Sequence, residues 1–80
     1  MFLKDAIELK INNLCEEQNI TINKLCTICG ITQSTLANLK ARPKTNVSTI
    51  TVLRICRGLD MSLTDFFTDP IFNNTDFEDD

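Results

Sequence analysis

Residues 24–40 read KLCTICGITQSTLANLK. The stretch opens on a Cys-x-x-Cys pair, Cys26 and Cys29, passes through Gly30, and ends in short polar side chains set around Leu36 and Leu39. Its first half suggests a metal or redox site, its second a surface made to touch something. Helical spacing separates the two. Thr21 is a suitable cap for a short helix over 22–29 that carries Leu25, Cys26 and Cys29 on one face. Gly30 suits the left-handed position that closes a helix. Ile31 then turns inward, and Thr32 caps a further helix over about 33–41. On it Leu36 and Leu39 point one way, and Gln33, Ser34, Ala37 and Asn38 point elsewhere.

Two helices crossing at a glycine-containing turn describe a helix-turn-helix. Cys26, four residues before Gly30, is small where the next helix crosses. Leu36, six residues after it, is bulky enough to fill that crossing, and Ile31 plugs the turn. The outer face of the second helix is left free and polar.

The cysteines have three readings. Cys26 and Cys29 with Cys15 and Cys56 make four thiols, enough for a zinc site. Structural zinc pairs, however, sit on turns where thiolates converge, whereas these lie on the apolar faces of helices, where a free cysteine acts as a small buried hydrophobe. A redox switch is the third possibility. The chain has no histidine to help build a metal site, and core filling is the preferred reading.

Outward from this stretch, apolar residues at 3, 7, 11, 14 and 15 give an amphipathic helix over 4–18. KARPKTNV, residues 40–47, is a polar loop stiffened by Pro43. Ser48 starts a fourth helix to about residue 58, with Val52, Leu53, Ile55, Cys56 and Leu59 available to the core. SLTD, residues 62–65, is a capping box for a short fifth helix containing Phe66 and Phe67, and Pro70 stops it. NNTDFEDD, residues 73–80, has no periodicity and reads as an acidic tail. The expected fold class is all-α: a compact bundle of five short helices containing a helix-turn-helix in helices 2 and 3, one domain over 1–72 followed by the tail.

Eighty residues with 42% hydrophobic side chains suit one globular domain. No apolar run approaches the ~20 residues of a membrane span. The mixed N-terminus, MFLKDAIELK, is not a signal peptide, and the expected location is the cytoplasm, with reduced thiols. The net charge is −3, but it is unevenly spread. Residues 18–59 carry six basic side chains (Lys24, Lys40, Arg42, Lys44, Arg54, Arg57) and no acid, between acidic ends. Such an acid-free stretch produces a local positive field. An enzyme is not expected: there is no histidine or tyrosine, no carboxylate in the central stretch, and no phosphate-binding glycine loop.

The segments NITINKLCTICGITQSTLANLKA (19–41) and NVSTITVLRICRGLDMSLTDFF (46–67) together resemble the lambda-repressor-like, XRE-type helix-turn-helix DNA-binding domain. The resemblance covers about residues 4–67. It implies a sequence-specific DNA-binding transcriptional regulator, most simply a repressor, whose third helix enters the major groove. Gln33, Ser34 and Asn38 are then the candidate base readers, the carboxamides being suited to adenine. Thr32, Thr35, Lys40, Arg42, Lys44, Thr45 and Asn46 are the candidate phosphate contacts. Three positions depart from the family: Ile22 stands where Gln is frequent, Thr49 where an aliphatic residue is, and Arg42-Pro43 where Gly is. The expected partner is double-stranded DNA, with a homodimer at least on DNA through Phe66, Phe67, Ile71 and Phe72. Neither a cofactor, a metal, a small-molecule ligand nor a membrane is implied. The rival is a protein-interaction module, such as an antitoxin or a regulator antagonist, on the same fold.

Overall fold

The computed structural model describes residues 2–41, 48–73 and 75, and for residues 38–41 the backbone alone. Five helices follow in order: α1 (Leu3–Gln18), α2 (Ile22–Cys29), α3 (Gln33–Ala41), α4 (Thr49–Gly58) and α5 (Leu63–Phe67), and a 3₁₀ turn spans Pro70–Phe72. The chain is all-α, with the helix-turn-helix in α2 and α3. The starts are set by side chains, as the sequence suggests. Thr21 accepts from the Lys24 amide, Ser48 from the Thr51 amide and Ser62 from the Asp65 amide, each satisfying a donor that the first helical turn leaves orphaned.

The ends of α1, α2 and α4 share one construction. A residue in the left-handed region follows each helix: Asn19 (φ 56°), Gly30 (φ 69°) and Asp60 (φ 57°). The next residue then donates its amide to the carbonyl five positions back: Ile20 to Cys15 at 2.9 Å, Ile31 to Cys26 at 3.1 Å and Met61 to Cys56 at 2.8 Å. This is the six-to-one bond of a Schellman end, whose closing residue tends to pack on the residue whose carbonyl it caps. Ile20, Ile31 and Met61 are all half-buried against the core. Three of the four cysteines therefore occupy one structural position, repeated on three helices.

The core is built from Ile7, Ile11, Leu14 and Cys15 of α1, Leu25, Cys26 and Cys29 of α2, Leu36 of α3, Val52, Ile55 and Cys56 of α4, and Phe66 of α5. Fully burying a side chain the size of Phe66 or Ile55 contributes about 1.5–3 kcal/mol. Three expectations need correction. Leu3 is 42% exposed, and the buried stripe of α1 is instead Ala6, Ile7, Lys10, Ile11, Leu14 and Cys15. Leu53 of α4 is half-buried and stands outside the core cluster. The 3₁₀ turn packs against α1. Pro70 does not end α5, which stops at Phe67; it opens this added turn, where a missing amide costs nothing.

The turn is pinned at its first residue. Asp69 accepts from the Ile71 amide at 3.1 Å and from the Lys10 ammonium at 3.1 Å. Lys10 is only 8% exposed, its stem lying along apolar surface with the charge satisfied at the tip. The Ile71 amide, and then Lys10, hold the Asp69 carboxyl below the usual carboxylate range.

Two outcomes follow. A Cβ at Gly58 would collide with Cys29 Sγ and lie 3.0 Å from Cys29 Cα. Gly58→Ala should therefore lower stability by about 1–3 kcal/mol despite alanine's better helix propensity. Adding Cys29→Ala should restore only part, because the backbone of residue 29 still crowds the new methyl group; urea midpoints measure both. For Asp69, a carboxyl held down in the folded state stabilises the fold above its unfolded value of about 4, and that contribution is lost as pH falls through the lower folded value. The stability gap between wild type and Asp69→Asn should be constant from pH 7 to about 5 and close below about 4 in pH-dependent urea melts.

Candidate nucleic-acid interface

α3 presents Gln33, Ser34, Thr35 and Ala37 to solvent, and Leu36 to the core. Ala37 lies four residues from Gln33 and three from Ser34, the spacings that make neighbours on a helix surface, so two of the candidate base readers flank it on one exposed face. The side chain of the third, Asn38, lies outside the described residues, as do that of Lys40 and the whole of Arg42, Lys44, Thr45 and Asn46.

Thr32 and Thr35 are turned onto the start of α3. The Thr35 amide donates to Thr32 Oγ1 at 3.3 Å, and the two hydroxyls lie 2.9 Å apart. In such a pair one hydroxyl donates to the other, which leaves one O–H free to donate outward. The two threonines thus cap the helix and still offer a donor beside its positive end. Ser48 and Thr51 repeat the arrangement at the start of α4, with the hydroxyls 3.1 Å apart and the Thr51 amide 3.1 Å from Ser48 Oγ. Reading Ser48 only as a helix start missed this second pair; the matching spacing, Thr32/Thr35 and Ser48/Thr51, was the available signal.

A groove of about 270 Å³ runs between α1, the start of α2 and α3, lined by Glu8, Ile11, Asn12, Ile22, Gln33, Leu36 and Ala37. Gln33 therefore stands on one wall of this groove, facing α1 and the start of α2 across it. Ile22, the departure at the start of α2, is half-buried against the core and lines this groove. Thr49 is exposed, so a polar residue at that departure leaves no polar group in the core.

The aromatic end is a stack of three rings. Phe66 lies 4.9 Å from Phe67 and 5.8 Å from Phe72, and Phe67 lies 5.0 Å from Phe72. Phe66 is 0% exposed and has no surface left for a partner. Its place is the core, and among the suggested dimer contacts only Phe67, at 41% exposed, and the half-buried Ile71 and Phe72 retain area. Ile50, at 65%, is the most exposed large apolar side chain among the described residues and was not picked out from sequence.

All four cysteines are free and buried. Burial pushes every thiol above its ordinary value, and around Cys29 the thiols of Cys26, Cys15 and Cys56 push further. Among the described residues, no group of three or more histidine, cysteine or acidic side chains is arranged to hold a metal ion, and no helix is long and apolar enough to cross a membrane.

A family model described as the Cro/C1-type HTH DNA-binding domain matches residues 10–70. Comparison with curated proteins and with solved structures gave no match.

Thiol labelling tests the cysteine environment. With buried, protonated thiols, all four should react with a disulfide reagent only as fast as the protein opens, and urea should accelerate them together. A chelator should leave the helical circular dichroism unchanged. Prompt labelling in native buffer, or unfolding by the chelator, would contradict core filling.

Proposed function

The chain belongs to the Cro/C1-type HTH DNA-binding domain family, and from that premise we propose that it is a sequence-specific transcriptional regulator, most simply a repressor. The observation that carries this reading is the family match together with an exposed polar face on α3, where the fold requires only Leu36 among the described side chains to face inward. α3 enters the major groove by its N-terminal end. Gln33 and Asn38 read base edges, Ser34 reads a base or holds a phosphate, and Thr32, Thr35, Lys40, Arg42, Lys44, Thr45 and Asn46 grip the backbone. Repression follows from occupying a promoter in the cytoplasm and needs neither a cofactor nor catalysis.

One short helix reads only a few base pairs. That is too little information to select an operator among about 10⁶ or more competing sites. The working form is accordingly a twofold dimer on a palindromic site, with half-site centres about 10 base pairs apart. Phe67, Ile71 and Phe72 supply the contact area, a patch small enough that pairing occurs mainly on DNA.

Selection of bound sequences from a random DNA pool tests the function and the symmetry together. A recovered palindrome supports both, and an asymmetric site removes the dimer. Failure to select any sequence, with binding insensitive to salt, favours the protein-interaction reading. On the selected site Gln33→Ala should cost about 1–3 kcal/mol and relax preference at one position. Lys44→Ala should weaken all sequences alike and reduce the salt slope by about 1. Indistinguishable behaviour of the two variants would break the division between helix and loop.

A further inference from the structure

Arg54 is exposed on α4 and belongs to the acid-free stretch, but it is not among the phosphate contacts named above. Its guanidinium is engaged elsewhere: Nη1 donates to the carbonyl of Gly30 at 3.1 Å, across 24 residues of sequence. Gly30 is the left-handed residue between α2 and α3. Its own amide and that of Ile31 both donate to Cys26 O, so the turn is tied back to α2 by its donors. The Gly30 carbonyl, which points the other way along the chain, is taken by α4.

The placement bears on what α3 can do. Among its described side chains only Leu36 is buried, and the turn at Gly30 leads directly into this helix. A turn fastened at both its amides and its carbonyl fixes where Gln33, three residues after Gly30, begins. We propose that Arg54 is a positioning residue for base reading: it braces the turn from α4 and sets the angle at which α3 presents Gln33 and Ser34, without contacting DNA itself. The proposal rests on the DNA-binding function given above and adds a specificity role to a residue that contributes no base contact.

The brace and a direct phosphate contact separate by salt dependence. Affinity for the sequence that wild type selects, and for unrelated DNA, is measured over a range of salt for wild type, Arg54→Ala and Arg54→Lys. With a brace, Arg54→Ala lowers the ratio of selected to unrelated affinity by about three- to tenfold, the range set by the net contribution of one ordinary hydrogen bond. The salt slope on unrelated DNA stays the same, and Arg54→Lys, whose ammonium reaches the same carbonyl, recovers part of the ratio. A slope on unrelated DNA lower by about 1 assigns Arg54 to a phosphate and overturns the proposal. So does an unchanged ratio well below the melting temperature, which a merely stabilising role would give. The free proteins supply a readout independent of DNA: amide shifts of residues 31–37 should move together in Arg54→Ala and return towards wild type in Arg54→Lys. A chain that shows those shifts but selects no DNA sequence keeps the brace and loses the DNA-binding function. One that selects DNA but shows neither the shifts nor the altered ratio loses the brace alone.

Discussion

The close approach of α2 to α4 is the contact on which the rest of the molecule depends. Gly58 has no side chain where Cys29 arrives, and Cys29 Cα would stand 3.0 Å from any Cβ placed there. The same thiol donates to Ile55 O at 3.7 Å, and one turn earlier Arg54 reaches Gly30 O. Backbone lies against backbone over this crossing because both partners are small, as close packing requires. The turn that leads into α3 starts from this crossing, and α3 itself packs on both α1 and α2. The turn begins at Gly30, one residue after Cys29, and α3 begins three residues later.

Cysteine is used here as a shape. Cys15, Cys26 and Cys56 each stand at the last buried turn of a helix, each lending a carbonyl to the residue that folds back beneath it. A thiol fills the space under that residue without the branching that would push it away, and it leaves no strong polar group unpaired. Cys29 meets the complementary need, a compact side chain facing a glycine. The raised thiol values follow from the same burial. Cys26 and Cys29, three residues apart on α2, thus meet two neighbouring packing constraints.

Charge organises the periphery. The Lys10–Asp69 pair fastens the segment after α5 to the first helix, and so brings Phe72 onto Phe66 and Phe67. That pair holds the 3₁₀ turn against α1. The acid-free middle of the chain carries the proposed DNA face, where Arg54 is engaged with the protein's own backbone.

The five helices, their caps and the helix-turn-helix could be read directly from the sequence, because each is a local statement. Thr21, Ser48 and Ser62 precede apolar periodicity, and Gly30 follows it, so backbone hydrogen bonds within a few residues determine those boundaries. The exposed face of α3, with Gln33 and Ser34, was equally local, since placing Leu36 inward leaves its neighbours outside. What lay beyond the sequence involves partners far apart in the chain. Lys10 is buried and paired with Asp69, 59 residues later, and Leu3, which shares the helical spacing of the core residues, is 42% exposed. Phe66 and Phe67 are adjacent and chemically identical, yet one is enclosed and the other open. Arg54 counted as one more cation until the crossing of α2 and α4 placed a carbonyl in front of it. Periodicity tells which residues share a face, but only the packing of one helix on another decides what that face meets.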